Sequence, residues 1–195
     1  MADGNDEHGA EILKQAQALF SELGVEAVSM HQVAKAAGVG QATLYRRYPN
    51  KGNLCMALMK AKFDQLMAEM KQDLEESSDL PVRERLSRFM TRQILFAHRD
   101  IEWMKEVFRS CKLKDVRENV FEAPPFKFLY SNILQLLEEA SGRGELIALD
   151  PPFAASLITA SITPELLFYW DEKGYTAEEI AKQYTQTFIA PLFVS

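Results

Sequence analysis

The residues of this 195-residue sequence able to do chemistry are its histidines, cysteines, carboxylates and glycine-rich turns. Di-iron helical bundles hold their metals through Glu-x-x-His on facing helices. None of His8, His31 and His98 has a glutamate three residues before it. Cys55 and Cys111 lie 56 residues apart with no Cys-x-x-Cys, which suggests neither a zinc site nor a disulfide framework; both are expected as core thiols in a reducing compartment. The run Gly38-Val-Gly40-Gln-Ala-Thr43 begins like a dinucleotide fingerprint, but it lacks the third glycine and no strand precedes it. There is no phosphate loop ending in Gly-Lys-Ser/Thr and no Gly-x-Ser-x-Gly elbow. The expectation is therefore a protein that is not an enzyme, with no catalytic residue, no metal and no cofactor.

Charge gives the positive signal. The formal net charge is −6, yet residues 28–63 hold six basic side chains (Lys35, Arg46, Arg47, Lys51, Lys60 and Lys62) and no Asp or Glu. The rest of the chain has 16 basic against 28 acidic residues. Such asymmetry points to a small polyanion-binding module on an acidic body. Within the basic stretch, two short predicted helices, 30–37 and 41–47, are joined by Ala37-Gly38-Val39, the size and turn of a helix-turn-helix. Gln41, Thr43 and Arg46 are expected to face outward while Leu44 packs inward. Tyr45, Arg47, Tyr48 and Lys51 come within reach of flanking phosphates, with core packing the competing role for the two tyrosines. Gln and Arg can read base edges bidentately, whereas phosphate contacts fix register.

The elements that must position these residues are all helical, because apolar residues recur at helical spacing and no alternating β-branched run appears. About nine helices are predicted. The first spans 9–23 and ends at Gly24, where a C-terminal glycine cap belongs. Ser29 is the natural N-cap of the second, and Pro49-Asn50 terminates the third. The fourth is long, 51–76, with one apolar stripe early (Leu54, Leu58, Ala61) and another later (Met59, Phe63, Leu66, Met67, Met70, Leu74), the pattern of a helix joining two packed units. Further helices are predicted at 82–98, 101–112, 126–141, 152–170, kinked or divided at Pro164, and 176–193, opened by the capping box Thr176-Ala-Glu-Glu179. A charged, less regular stretch, 114–122, precedes the break at Pro124-Pro125.

The block from Ile12 through Leu54 reads Ile-Leu-x-x-Ala-x-x-Leu-Phe-x-x-x-Gly-(x)4-Ser-x-x-x-Val-Ala-x-x-Ala-Gly-Val-x-x-Ala-Thr-Leu-Tyr-x-x-Tyr-x-x-Lys-x-x-Leu. It resembles the DNA-binding domain of the TetR family of transcriptional regulators and covers about the first quarter of the chain. The later helices resemble that family's variable body in length and number, without a diagnostic motif. The resemblance implies residues 1–54 as a helix-turn-helix DNA-binding domain and 55–195 as a ligand-binding and dimerisation domain. It also implies a homodimer on palindromic double-stranded DNA, usually as a repressor, released by a small-molecule effector. An activator or a ligand-independent regulator of the same fold is the alternative. By position, Ser29 matches the hydroxyl residue capping the second helix, where His31 and Gln32 also fall among the DNA-contacting candidates. Gln41, Ala42, Thr43 and Tyr45 match recognition-helix contacts, and Lys51 matches the lysine that approaches the backbone. Arg46, Arg47 and Tyr48 stand where histidines and a phenylalanine are common. Gly40 replaces the usual capping Ser or Thr, Ala42 a frequent glycine and Gly52 a frequent glutamate.

The body has an aromatic and methionine supply from which a ligand pocket is expected: Phe89, Phe96, Trp103, Met104, Phe108, Phe126, Tyr130 and Phe168. Trp103 beside Glu102 and Glu106 would suit a cationic aromatic ligand. Residues 151–170 contain Glu165 as their only charge, but three prolines and the lack of basic flanks argue for a buried helical segment, not a membrane span. A dimer interface is expected there and on the last helix, through Leu157, Ile158, Ser161, Tyr184 and Phe188. The acidic, polar start of the chain has no signal-peptide pattern, so a cytoplasmic location is expected. A helical enzyme and a module that binds no DNA are the rival classes.

Overall fold

The burial pattern explains the order of elements in the computed structural model, which describes residues 3–110 and 120–194. Among them are ten α-helices: α1 Asp3–Leu23, α2 Met30–Ala36, α3 Gln41–Arg47, α4 Lys51–Glu76, α5 Val82–Arg99, α6 Ile101–Ser110, α7 Pro124–Gly142, α8 Pro151–Ser161, α9 Pro164–Glu172 and α10 Ala177–Tyr184. The described residues hold no strand, only an isolated bridge between Leu146 and Phe193. The fold is all-α, as expected.

Residues divide into two compact units, and each has its own core. The first comprises 3–62 and α6 from Glu102 onward. Its core takes Ile12, Ala16 and Phe20 from α1, Val33 and Ala34 from α2, Leu44 from α3, Leu54, Cys55 and Leu58 from α4, and Trp103 and Val107 from α6. The Phe20 and Trp103 rings meet edge to face with centroids 5.9 Å apart. Arg109 of α6 donates to a Glu26 carboxylate oxygen at 2.8 Å. This first packed unit runs past the expected domain boundary at 54 to Lys62 and includes α6 from Glu102. That recruitment follows from Trp103 and Val107, which are one helical turn apart and both buried.

The second unit comprises 63–101 and 120–194. Phe63, Leu66 and Met70 of α4 are buried in it, so α4 does bury different residues at its two ends, although Ala61 is exposed. Helix α5 packs against α7 and α10, and α7 against α8. This core includes Leu86, Phe89, Met90 and Ile94 of α5, Ile133, Leu136 and Leu137 of α7 and Ile158 of α8, all at most 2% exposed. Arg85 is buried and donates through Nη1 to both carboxylate oxygens of Glu139, at 2.9 and 2.8 Å.

Local chemistry sets the boundaries that differ from expectation. Helix α1 begins at Asp3, earlier than residue 9. Pro124-Pro125 opens α7 instead of preceding it, because proline's missing N–H costs nothing in a first helical turn. The expected helix 152–170 is divided: Ser161 ends α8, and Thr163 caps α9 by accepting from Leu166 N at 3.2 Å. The expected capping box opens α10, with Thr176 and Glu179 exchanging bonds. The α-form of the last helix, however, stops at Tyr184 and gives way to a π turn, Thr185–Ile189, and a 3-10 turn, Ala190–Leu192. Thr185 Oγ1 donates to the Ala181 and Lys182 carbonyls, at 2.9 and 3.0 Å, and Pro191 supplies no N–H to an α ladder. Cys55 is a fully buried thiol, whereas Cys111 and most of the charged stretch 114–122 lie outside the described residues.

Two outcomes follow. Leu44→Ala empties a fully buried site and should cost about 2–5 kcal/mol, read as a lower denaturant midpoint with a helical folded baseline. Tyr184, whose hydroxyl lies 2.7 Å from that of Ser161, is pushed up to about 12 by burial, a shift that the Ser161 hydrogen bond partly opposes. Unfolded tyrosine ionises near 10, so between those values the folded chain keeps a proton that the unfolded chain has lost. Stability should therefore fall as pH rises through that window, by on the order of 2 kcal/mol, and Tyr184→Phe should remove this part of the pH profile of unfolding.

Candidate nucleic-acid interface

Helix α2 is fixed at both ends by its own residues. Ser29 Oγ accepts from Gln32 N at 3.3 Å, while Gln32 Oε1 accepts from Ser29 N at 2.7 Å and from Ser29 Oγ at 2.8 Å. At the other end Gly38 N donates to Lys35 O (3.2 Å) and Val39 N to Ala34 O (3.0 Å), the paired bonds of a Schellman turn. Gly38 has φ +65°, which a residue with a side chain adopts only at a cost, so the turn between the two helices depends on this glycine. The same turn brings the apolar Val39 against the core.

Helix α3 follows at once. Gly40, its N-cap, is extended and offers no side-chain bond; its carbonyl accepts from Thr43 N and Leu44 N at 3.0 and 3.1 Å. Leu44 is fully buried and Tyr48 is 9% exposed, which leaves Gln41, Ala42, Tyr45 and Arg46 as one solvent-facing row. The two tyrosines thus separate: Tyr48 is core and Tyr45, 45% exposed, is surface. Thr43 is half-buried. Together with His8, Ile12, Arg46 and Arg47 it lines a cavity of about 200 Å³ against α1. Arg47 lies across the buried Gly9 of α1 so closely that a methyl group on Gly9 would collide with the guanidinium.

Two more contacts join residues distant in the sequence. Lys51 Nζ donates to Val25 O at 2.8 Å and Glu26 O at 3.4 Å, tying the start of α4 to the loop after α1. Gln41 Nε2 donates to His31 Nδ1 at 2.5 Å, joining the first residue of α3 to an exposed residue of α2. Partners 10 and 26 residues apart leave no periodic trace in a sequence.

The expected pocket residues do not form one set. Trp103, Met104 and Phe108 belong to the first unit, where Trp103 is core and Lys62 Nζ sits 3.9 Å from its ring centroid. The cation facing Trp103 is thus the chain's own. Phe89, Phe96, Phe126, Tyr130 and Phe168 belong to the second unit. There Phe63 meets Phe96 and Phe128 edge to face at 5.9 and 6.4 Å, and Phe126 stacks on Tyr130 at 6.3 Å. Of the expected dimer contacts, Ile158 and Tyr184 are buried in the unit's own core, Ser161 is half-buried, and Leu157 and Phe188 are exposed.

Comparison with known proteins agrees with this geometry. Residues 12–58 match the family model described as bacterial regulatory proteins, tetR family. The HTH-type transcriptional regulator SAR0097 of Staphylococcus aureus (strain MRSA252) is 28% identical over 117 residues, 60% of this chain and 60% of that protein. The aligned segment therefore spans less than two thirds of that relative's own length. Among solved structures, the transcriptional regulator FadR from Bacillus subtilis in complex with stearoyl-CoA superposes with a TM-score of 0.66, at 20% identity, over 94% of this chain and 98% of that one. A bacterial regulatory protein in the tetR family from Rhodococcus RHA1 gives 0.62 at 17% identity, over 96% and 98%. At such identities the likeness to the solved structures is one of fold. Residues 12–58 thus match the amino-terminal segment of the tetR family of bacterial regulatory proteins, and the chain shares the fold of these solved regulators.

Proposed function

We propose that this protein is a DNA-binding transcriptional regulator, a homodimer that occupies a palindromic operator, represses, and is released by a small-molecule effector. The observation that carries this reading is the solvent-facing row Gln41, Ala42, Tyr45 and Arg46 on a helix whose opposite side, Leu44 and Tyr48, is locked in the core. In a major groove, Arg46 would pair with guanine O6 and N7, and Ala42 would meet a thymine methyl. Thr43 and Tyr45 would donate to phosphates, which set register, whereas the Ser29 hydroxyl already gives its proton to Gln32 Oε1. Lys51 has three ammonium protons and gives two to the Val25 and Glu26 carbonyls, so one is left for the backbone.

A single seven-residue helix reads too few base pairs to single out one site in a genome, which argues for two copies related by a twofold axis. The second unit offers a surface for that. Phe153 and Leu157, one turn apart on α8, are 65% and 50% exposed, and Phe188 is 40% exposed. Beside them Ser161, Leu166, Trp170, Tyr175, Gln183 and Phe188 line a groove of about 580 Å³. Exposed apolar side chains gathered in this way mark an interaction face. The effector would bind among the half-buried rings Phe96, Phe126, Tyr130 and Phe168 of the same unit, stabilising a conformer that holds the two recognition helices at the wrong spacing. Helix α4, with residues in both units, is the covalent route for that change. Because a FadR of this fold was solved with stearoyl-CoA, a saturated fatty acyl-CoA is the first effector to try.

Selection from a random duplex pool should return a palindrome. On the selected site, Arg46→Ala should cost about 1–3 kcal/mol and relax one base position in each half-site. Lys51→Met should weaken all sequences alike and reduce the salt slope by about 1 per subunit. It should also lower the unfolding free energy by about 1 kcal/mol through loss of the carbonyl clamp. A complex insensitive to salt would contradict the phosphate contacts. The pair Leu157→Glu and Phe188→Glu should give a monomer of unchanged helical content that no longer holds the palindrome, as sedimentation and titration would read; a persistent dimer would refute the assigned face.

A further inference from the structure

We infer that His31 is a specificity-determining positioning residue: it holds the Gln41 amide so that Gln41 reads adenine. The inference rests on the reading of α3 as a recognition helix and adds to it a reason why one base is preferred at one position.

Gln41 is the first residue of α3 and is exposed, and Gly40 before it supplies no side chain to hold it. Left alone, a glutamine samples many rotamers and both amide orientations, and ordering it at a base edge costs affinity. Here its amide already has a partner. Nε2 lies 2.5 Å from His31 Nδ1, and since an amide nitrogen only donates, Nδ1 is the acceptor of this bond. His31 is itself well placed for this. It lies in the first turn of α2, between the buried anchors Met30 and Val33, and the Ser29–Gln32 capping box fixes the start of that helix.

The bond divides the donors and acceptor of the amide. One N–H is used by His31; the other N–H and the carbonyl oxygen Oε1 remain for an incoming base. One donor beside one acceptor matches adenine, whose N6 amino group donates and whose N7 accepts. Guanine presents two acceptors, O6 and N7, on the same edge and would leave Oε1 facing an acceptor. With the amide free to turn, this discrimination weakens, since Nε2 can then swing both N–H groups toward guanine. His31 thus acts through Gln41, without itself touching a base.

The test is a double-mutant cycle read on sequence preference, using the full-length protein and the site selected from a random duplex pool. His31→Ala should lower the preference for adenine over guanine at one position of each half-site by about five- to tenfold. The melting temperature and the salt slope should stay unchanged, since an exposed side chain that contacts Gln41 and no phosphate is removed. In a Gln41→Ala background, which itself abolishes the adenine preference, His31→Ala should have no further effect. An effect of His31→Ala that persists in that background, at the same or another base pair, would assign His31 a contact of its own and overturn the inference. So would a uniform loss across sequences with a shallower salt slope, the sign of a phosphate contact. An unchanged preference in His31→Ala would overturn the inference and leave the regulator reading standing. Failure of the unmodified protein to select any sequence would bring down the regulator reading itself, and this one with it.

Discussion

A seven-residue helix has no stability of its own in water, where isolated helices shorter than ~12–15 residues are marginal. Helix α3 therefore exists because Leu44 and Tyr48 are buried, and the orientation of everything on its outer side is decided by that burial. Gln41, Ala42, Tyr45 and Arg46 face solvent because 3.6-residue periodicity leaves them nowhere else to go once Leu44 is inside. The Schellman turn at Gly38 adds a second constraint, since it sets the direction in which the chain leaves α2 and thus which part of the core α3 can reach. Remove either and the exposed row loses both its shape and its register with α2, including the His31–Gln41 bond.

The core that receives Leu44 is assembled from distant parts of the chain. Trp103 and Val107 belong to α6, beyond the whole of α5, yet they close the first unit beside Phe20. Helix α4 serves both cores in turn, Leu54, Cys55 and Leu58 in the first and Phe63, Leu66 and Met70 in the second. Helix α4 therefore carries the chain from one core to the other without a break.

Much of this was legible in the residues. Apolar spacing points to all-α architecture and the inward Leu44, and residue type at the helix ends to the Ser29 and Thr176 caps and the glycine turn, because each is a local pattern with a local cause. The two stripes of α4 were legible for the same reason. What the sequence hid were decisions made by distant partners. Trp103 and its neighbours look like pocket material in a list of aromatics, and only the packing assigns Trp103 to the amino-terminal core with Lys62 over its ring. Ile158 and Tyr184 lie on apolar stripes that suit a dimer seam equally well, and burial within their own unit is what separates them from Leu157 and Phe188. The division at Pro164 could be read as a kink or a break until Thr163 was seen to cap a new helix.

The six cations between residues 28 and 63 are unequally disposed. Lys51 is tied to two carbonyls, Lys62 lies over Trp103 and Arg47 is laid across Gly9, whereas Lys35, Arg46 and Lys60 are exposed. On the regulatory reading this has a consequence for the search along a genome. Binding to arbitrary duplex scales with the number of phosphates neutralised, and Lys51, Lys62 and Arg47 keep their charges but are held in place by neutral groups, so they would serve best a duplex seated in one register. On that reading such a protein would favour its own site over the excess of wrong ones. Few copies per cell would then be enough to keep one operator filled.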